Sequence, residues 1–123
     1  FKHINDRHGH PGGDQVLIEF CRRIQQHLRS GDCFGRWGGE EFLILLDPGD
    51  TASAAALAEK LRRLIAATPF ARVGTVTASF GVAERRPAES AADWFQRVDQ
   101  CVYAAKQAGR NRVIPAGASA APD

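Results

Sequence analysis

The 123-residue sequence contains no methionine, only three cysteines and no long apolar run. These scarcities limit the kinds of site and segment that the protein is expected to contain. The cysteines are widely spaced and form no C-x-x-C pair, which excludes the usual spacing of a zinc site and a disulfide framework. No apolar run approaches the roughly 20 residues that cross a bilayer, so we expect no membrane segment. The net charge of +2 is too small to indicate a surface for nucleic acid. Because the sequence opens on Phe1 rather than methionine, we expect it to be an internal part of a longer protein.

The rest of the composition is typical of one ordinary globular domain. Apolar residues make up 44% and charged residues 24% of the sequence, and a chain of this length buries about two thirds of its unfolded surface. We place the domain at residues 1–114, because residues 115–123 are rich in Ala, Pro, Gly and Ser and predict a flexible tail. The cysteines fall at apolar positions, which predicts buried reduced thiols and a cytoplasmic location. Whether the longer protein is anchored in a membrane stays open.

The spacing of apolar residues predicts alternating helices and strands. Three helices are predicted, over residues 14–28, 51–67 and 90–109. Four strands are predicted, over residues 33–37, 42–46, 75–82 and 112–114. Thr51 and Ser90 are suitable N-caps, and Gly109 is suited to end the last helix in a left-handed conformation. This order of elements predicts an α/β layer in which helices cover a mixed or antiparallel sheet.

The most informative stretch is Arg36–Phe42, which reads RWGGEEF. Its two glycines stand at the tip of the predicted hairpin, where glycine tolerates positive φ and lets a backbone or a phosphate come close. Two carboxylates follow directly, and adjacent like charges gain little stability on a turn. From these residues alone, a solvated hairpin tip and a metal site are equally good interpretations.

Five motifs in this order and spacing resemble the GGDEF family, the diguanylate cyclases that condense two GTP into cyclic di-GMP. They cover nearly the whole chain and read FKHIND, GHPGGD, RWGGEEF, TASFGVA and VDQCVYAAKQAGRNRV. The Glu at the third position of the third motif is a variant that the family commonly carries. The resemblance implies a central sheet flanked by helices, related to the palm of nucleotide cyclases and polymerases. It also implies that the family's first central strand, with an Asp that is a second metal ligand, is missing before Phe1.

The resemblance implies catalytic roles for the hairpin. Glu40 resembles the ligand of the divalent metal, Mg²⁺ or Mn²⁺, whose preference for hard oxygen donors a carboxylate satisfies. Glu41 resembles the acidic residue at the reacting 3′-hydroxyl, where a carboxylate and a metal together favour the alkoxide. The glycines Gly38 and Gly39 would let the hairpin backbone approach the nucleotide.

The resemblance also implies a guanine site and a phosphate site. Asn5 and Asp14 match the guanine-binding pair, because a carboxylate accepts from both N1–H and the 2-amino group of guanine. An N-cap role for Asp14 after Gly13 is the structural alternative, and both roles are compatible. The implied triphosphate ligands are Lys2, Lys106, Arg110 and the backbone of Phe1.

For Lys106 and Arg110, four residues apart, a solvated basic helix end is the default interpretation without the family motif.

Arg29-Ser30-Gly31-Asp32 resembles the family's R-x-x-D inhibitory site, which binds the product away from the catalytic cleft. Arg29 is able to stack on a guanine and donate to its Hoogsteen edge, and Asp32 is able to accept from guanine donors. A helix-ending Arg with a turn Asp fits these residues about equally well without the spacing. Whether Arg62 or Arg63 of the next helix completes the site stays open.

The function implied is a diguanylate cyclase that releases pyrophosphate and is inhibited by its product. Each domain would bind one GTP, so the implied enzyme is a homodimer, brought together by an amino-terminal regulatory domain absent from this chain. The alternatives are a catalytically silent GGDEF domain that binds cyclic di-GMP, and a module that binds GTP for regulation. GTP and cyclic di-GMP are the expected ligands, and no nucleic-acid partner is expected.

Overall fold

The computed structural model describes residues 15–38, 41–46, 50–70 and 73–116. In chain order the described elements are α1 (residues 15–25), β1 (Cys33–Gly38), β2 (Glu41–Leu45), α2 (Thr51–Ala67), β3 (Phe80–Val82), α3 (Ala91–Gln107) and β4 (Val113–Pro115). The strands form two ladders, β1 with β2 antiparallel and β3 with β4 parallel. The chain divides into two compact units, one from Phe1–Asp47 with Leu64–Val76 and one from Pro48–Arg63 with Thr77–Asp123.

The first unit is organised by α1 and the β1–β2 hairpin. Residues spaced four apart on α1 bury one face of the helix, with Val16 and Ile24 each 1% exposed. Between them, the Phe20 ring lies 5.1 Å from the ring of Phe42 in β2, and Phe42 stacks on Phe34 of β1 at 5.6 Å. The aromatic cluster therefore fixes which face of the hairpin meets the helix.

The end of α1 comes three residues earlier than predicted. The helix stops at residue 25, and the next two turns close through tighter bonds, from His27 N–H to Ile24 O at 3.0 Å and from Leu28 N–H to Gln25 O at 3.2 Å. Such i→i+3 bonds commonly tighten a helix end. The apolar residue Leu28 thus continues the helical spacing without belonging to the helix.

The cysteines are free thiols, as predicted, but one prediction of burial is wrong. Cys101 is buried and Cys21 is half-buried, and burial raises the pKa of both thiols. Cys33 is exposed. Successive strand residues face opposite ways, so with Phe34 turned into the aromatic cluster, Cys33 lies on the other face of the hairpin.

The helix α2 spans the predicted residues, but its N-cap is one residue earlier. Asp50 Oδ1 accepts from Ser53 N–H at 2.7 Å, and Asp50 O accepts from Ala54 N–H at 2.9 Å. Asp50 is thus the capping residue and Thr51 the first helical one. The two side chains are both good caps, and the difference lies within the usual one-residue ambiguity of helix ends.

The second unit places α3 directly against a strand that is shorter than predicted. The parallel ladder runs only from the Phe80–Val113 pair to the Val82–Pro115 pair, so residues 75–79 lie outside it despite their alternating pattern. At Gly81, an added Cβ would lie 2.6 Å from Val98 O and 2.7 Å from Val102 N. Glycine is required there because any side chain would push α3 off the strand.

Both predicted ends of α3 are confirmed. Ser90 Oγ accepts from Asp93 N–H at 3.1 Å at the amino end. At the carboxyl end, Gly109 has φ +119° and donates to Lys106 O at 3.3 Å, while Arg110 N–H donates to Ala105 O at 2.9 Å. This pair of bonds is the Schellman motif, which satisfies the last carbonyls of the helix.

Candidate functional site

Six of the predicted site residues lie outside the described residues. They are Phe1, Lys2, Asn5, Asp14, Gly39 and Glu40. Their roles remain predictions. The described part of the chain contains the other six, which fall into three places: the hairpin, the turn after α1 and the end of α3.

The hairpin brings Gly38 and Glu41 into register as the last pair of the β1–β2 ladder. Arg36 pairs with Phe42, so Trp37 is an extra residue between the two pairs, which is a β-bulge. Glu41 is half-buried at the start of β2, whereas Trp37 is 62% exposed. Bulges commonly redirect a side chain beside an active site, and here the bulge shifts the register of the last strand pair, Gly38 with Glu41.

The donor set at the hairpin suits a hard cation only in part. Glu41 presents carboxylate oxygens, the ligand type that Mg²⁺ prefers. Within the described residues, however, no group of three or more His, Cys, Asp or Glu side chains converges on a point that would hold a metal ion. Glu40 lies outside that search.

The turn after α1 brings Arg29 and Asp32 together, as the R-x-x-D pattern predicts. Arg29 N–H donates to Asp32 Oδ2 at 2.8 Å, and Asp32 N–H donates to Arg29 O at 3.0 Å. The Arg29 Nε lies 3.8 Å from the same carboxylate oxygen. The Asp32 side chain is 2% exposed and the Arg29 side chain 65%. The carboxylate therefore shapes the turn, and the guanidinium is presented to solvent, where it is able to stack on a planar ring.

The end of α3 carries two cations. Lys106 lies in the last turn of the helix, and Arg110 follows the left-handed Gly109 with φ +65° of its own. In the part of the chain that the structure describes, neither side chain has a carboxylate within ion-pair distance. Cations at a helix carboxyl end are favoured by the helix dipole. This end is therefore suited to bind an anionic ligand.

Sequence reasoning missed the residues that support this basic end. Asn111 has φ +50°, its N–H donates to Ser79 Oγ at 3.1 Å, and its Oδ1 accepts from Arg62 Nη1 at 2.9 Å. Arg62 is itself held by Glu59 through bonds of 2.8 and 2.6 Å. The side-chain hydrogen bond from Arg62, followed by that from Arg63, lowers the pKa of Glu59 to about 2. Asn after Gly-Arg signals a left-handed turn, since Asn tolerates positive φ, but nothing local signals the contact with Arg62.

The helices in the described ranges all lack the combination of length and apolarity that crossing a membrane requires.

Comparisons with family models, curated proteins and solved structures all identify the same family. A family model described as "Diguanylate cyclase, GGDEF domain" matches residues 1–112. The chain is also similar to the diguanylate cyclase DgcM of Escherichia coli strain K12, with 44% identity over 116 residues. The match covers 94% of this chain and 28% of DgcM, so the chain spans less than a third of that relative.

Two solved structures have the same fold. One is the GGDEF domain of DgcB from Caulobacter crescentus in complex with c-di-GMP, with a TM-score of 0.88 and 34% identity, covering 94% of this chain and 71% of that one. The other is the active GGEEF domain of a diguanylate cyclase from Vibrio cholerae, with a TM-score of 0.87 and 36% identity, covering 96% of this chain and 77% of that one. These likenesses confirm the predicted α/β fold class. The family match spans most of the sequence, and the chain belongs to the GGDEF domain family of diguanylate cyclases.

Proposed function

We propose that this chain is the catalytic domain of a diguanylate cyclase, which condenses two GTP into cyclic di-GMP. The observation that carries the proposal is the hairpin: Glu41 pairs with Gly38 and stands half-buried at the start of β2. A relative of 44% identity is named a diguanylate cyclase, and a structural neighbour is described as an active GGEEF domain.

In the reaction proposed, each 3′-hydroxyl attacks the α-phosphorus of the other GTP, a new P–O bond forms, and the bond to pyrophosphate breaks. Glu41 accepts the proton of the attacking hydroxyl. Glu40 is the proposed ligand of Mg²⁺ or Mn²⁺. When bound, such an ion stabilises the negative charge of the reacting phosphate and lowers the pKa of the attacking hydroxyl. Because one domain holds one GTP, two domains must face each other, and we propose a homodimer formed through a regulatory domain outside this chain.

The remaining substrate contacts follow the chemistry of GTP. Asn5 and Asp14 are proposed to bind guanine, which selects against adenine because adenine lacks the N1–H and 2-amino donors. Lys2, the backbone of Phe1, and the basic end formed by Lys106 and Arg110 are proposed to bind the phosphates. A cytoplasmic location is part of this proposal, since the substrate is a cytoplasmic nucleotide.

Product inhibition through Arg29 and Asp32 is the second part of the proposal. A structural neighbour of the same family is described in complex with c-di-GMP. The backbone bond from Arg29 to Asp32 holds the two residues of the motif in a fixed turn, with the guanidinium exposed. A fixed turn binds its ligand with a smaller loss of conformational entropy than a mobile one.

The test of catalysis uses the full-length protein with GTP and Mg²⁺, and measures cyclic di-GMP and pyrophosphate. We expect turnover, and we expect Glu41→Gln to lower kcat by about a hundredfold or more, the usual contribution of a general base. Glu84→Gln is the matched control, because it makes the same change at an exposed residue outside the hairpin and keeps an oxygen that accepts from Thr51 N–H, so turnover should stay unchanged. Full turnover by Glu41→Gln would refute the proposed base.

The alternative function is a silent receptor that binds cyclic di-GMP without making it. The preformed R-x-x-D turn suits this receptor as well as the cyclase, so product binding and turnover have to be measured together. Asp32→Asn keeps an oxygen that is able to accept from Arg29 N–H, whereas Asp32→Ala removes it. We expect Asp32→Ala to weaken product binding at this turn by about tenfold or more, through the loss of a charge-assisted acceptor and of the turn itself. Tight product binding without any turnover of GTP would favour the receptor instead.

A further inference from the structure

The turn after α3 has a strained backbone. Arg110 and Asn111 have φ of +65° and +50°, directly after Gly109 at +119°. Two successive residues with a Cβ in the left-handed region are costly, and such a conformation persists only where the surroundings hold it in place. The residues that hold it therefore determine where the backbone of Arg110 lies.

Part of the support is local to the turn. The Schellman bonds fix Gly109 and Arg110 to the last turn of α3. Arg112 Nε donates to Arg110 O at 3.1 Å, and Phe80 N–H donates to Arg112 O at 2.9 Å, which ties the next residue to β3. These bonds hold the two ends of the turn but not the side chain of Asn111.

The rest of the support acts on Asn111 itself: its N–H donates to Ser79 Oγ at 3.1 Å, and its side chain is bound by one arginine of α2. Arg62 Nη1 donates to Asn111 Oδ1 at 2.9 Å across 49 residues of sequence. Its Nε and Nη2 are bound by the two carboxylate oxygens of Glu59, so the planar guanidinium is held in one orientation before it meets Asn111. The Arg62 side chain is 20% exposed, compared with 74% for its neighbour Arg63.

We propose that Arg62 is a positioning residue for polyphosphate binding: acting through Asn111, it fixes the turn that carries Arg110, four residues after Lys106. In this role Arg62 acts through its neighbours and not as a phosphate ligand, because one N–H on each of its three nitrogens is already bound by Glu59 or Asn111. The inference rests on the proposed function, in which Lys106 and Arg110 bind the triphosphate of GTP. It adds a residue of α2, and its carboxylate partner, to the determinants of substrate affinity.

The test measures binding of inorganic tripolyphosphate to the full-length protein by calorimetry, together with KM and kcat for GTP. Arg62→Gln and Asn111→Gly remove the same contact from opposite sides. Each should weaken tripolyphosphate about fivefold and raise KM for GTP by a similar factor, as expected when a binding group is displaced without being removed. The double variant should lose no more than either single one, because both changes break one interaction.

Two controls distinguish positioning from direct contact and from general destabilisation. Lys60→Gln removes one exposed positive charge from the same helix and should leave tripolyphosphate affinity unchanged. Arg110→Ala should flatten the salt dependence of tripolyphosphate binding, since it removes a charge that meets the phosphates. Arg62→Gln should weaken binding without changing that salt dependence. Asn111→Gly tolerates positive φ, so it keeps the fold even if Arg62→Gln does not.

The outcomes separate the two proposals. If Lys106→Ala and Arg110→Ala weaken tripolyphosphate but neither Arg62→Gln nor Asn111→Gly does, the positioning role is wrong and the phosphate site stands. A salt dependence flattened by Arg62→Gln as much as by Arg110→Ala would make Arg62 a direct phosphate ligand, and would also overturn the inference. If none of the four variants changes affinity, the phosphate site in the proposed function is itself wrong.

Discussion

Two helices of this protein carry the same pattern, a glutamate followed after two residues by a pair of arginines. In α1 the segment is Glu19–Arg23, and in α2 it is Glu59–Arg63. Both glutamates accept from both arginines of their own segment, at 2.6 and 2.8 Å for Glu19 and at 2.6 and 2.7 Å for Glu59. In both, the hydrogen bonds from the arginines lower the carboxyl pKa to about 2. Locally, the two segments are equivalent.

They differ in what one arginine of each pair reaches. In α1, Arg23 donates to the carbonyl oxygens of Thr68 at 2.7 Å and Pro69 at 3.2 Å, and its guanidinium lies 3.8 Å from the centre of the Phe70 ring. In α2, Arg62 donates to the side-chain amide of Asn111. The α1 segment thus holds the backbone that follows α2, and the α2 segment supports the turn after α3, which carries the candidate phosphate ligand Arg110. The same local ion pair serves two structural purposes, and the distant partner decides which.

The largest effect is expected from displacing α3, because the contact between Arg62 and Asn111 depends on the position of this helix. Gly81→Ala should destabilise the protein by about 3 kcal/mol, because the new Cβ would meet backbone atoms of α3 that cannot rotate away. It should also weaken tripolyphosphate binding, since Asn111 follows α3 and would move with it. Urea denaturation measures the first effect and calorimetry the second.

Gly35→Ala is the matched control, because a Cβ at Gly35 would have no atom within 4 Å. It should change stability by less than about 0.5 kcal/mol, as surface substitutions usually do. Equal losses for the two alanine variants would mean that the close approach of α3 to β3 is not what holds the second unit together.

The next largest effect is a difference in stability between variants of the two arginines in the α1 segment. Arg23→Ala should cost about 2 kcal/mol, because it leaves two carbonyl groups without their charged donor and removes the contact with Phe70. Arg22→Ala should cost much less, since an exposed ion pair contributes little. The Arg23 side chain is 13% exposed and the Arg22 side chain 55%.

Denaturant midpoints of the two variants, measured side by side, check this prediction. Arg22 binds Glu19 through two hydrogen bonds and Arg23 through one, so a larger loss for Arg23→Ala cannot come from the ion pair. A similar loss for both would show that the distant carbonyl contacts add nothing, and the distinction between the local pattern and its distant partner would fail.

The sequence predicts which arginine of each pair is the less exposed one, because the position of a residue on a helix face follows from its spacing. Arg23 lies three residues after Phe20, and Arg62 four residues after Ala58, so each shares a face with a buried residue. Arg22 and Arg63 fall off those faces and are the exposed members of their pairs. Which arginine folds inward is thus a periodic property. The partners, 45 and 49 residues away, depend on how elements pack and carry no local signal.

The candidate site likewise contains local features that the sequence predicts and distant contacts that it does not. The R-x-x-D turn, the β1–β2 hairpin and the left-handed end of α3 are local structures, so the sequence alone predicts each of them. The alternating residues 75–79 were predicted as strand, but strand formation needs a partner, and the ladder with β4 begins only at Phe80. The roles of Arg62 and Ser79 were missed for the same reason, because each acts on Asn111 from another part of the chain.

The smallest expected effect is acid destabilisation through the two equivalent glutamates. Each has a folded pKa of about 2 against an ordinary value of 4.5, so its contribution to stability is present above pH 4.5 and is lost as the pH falls towards 2. The loss should be modest, because the Glu19 and Glu59 side chains are 30% and 36% exposed and water screens the pairs. Melting temperatures measured across this range should fall less steeply for Glu19→Gln and Glu59→Gln, and by similar amounts, since the local pairs are alike. If one variant flattened the profile and the other did not, the distant partners would have to alter the ion pairs themselves, and the two segments would not be locally equivalent.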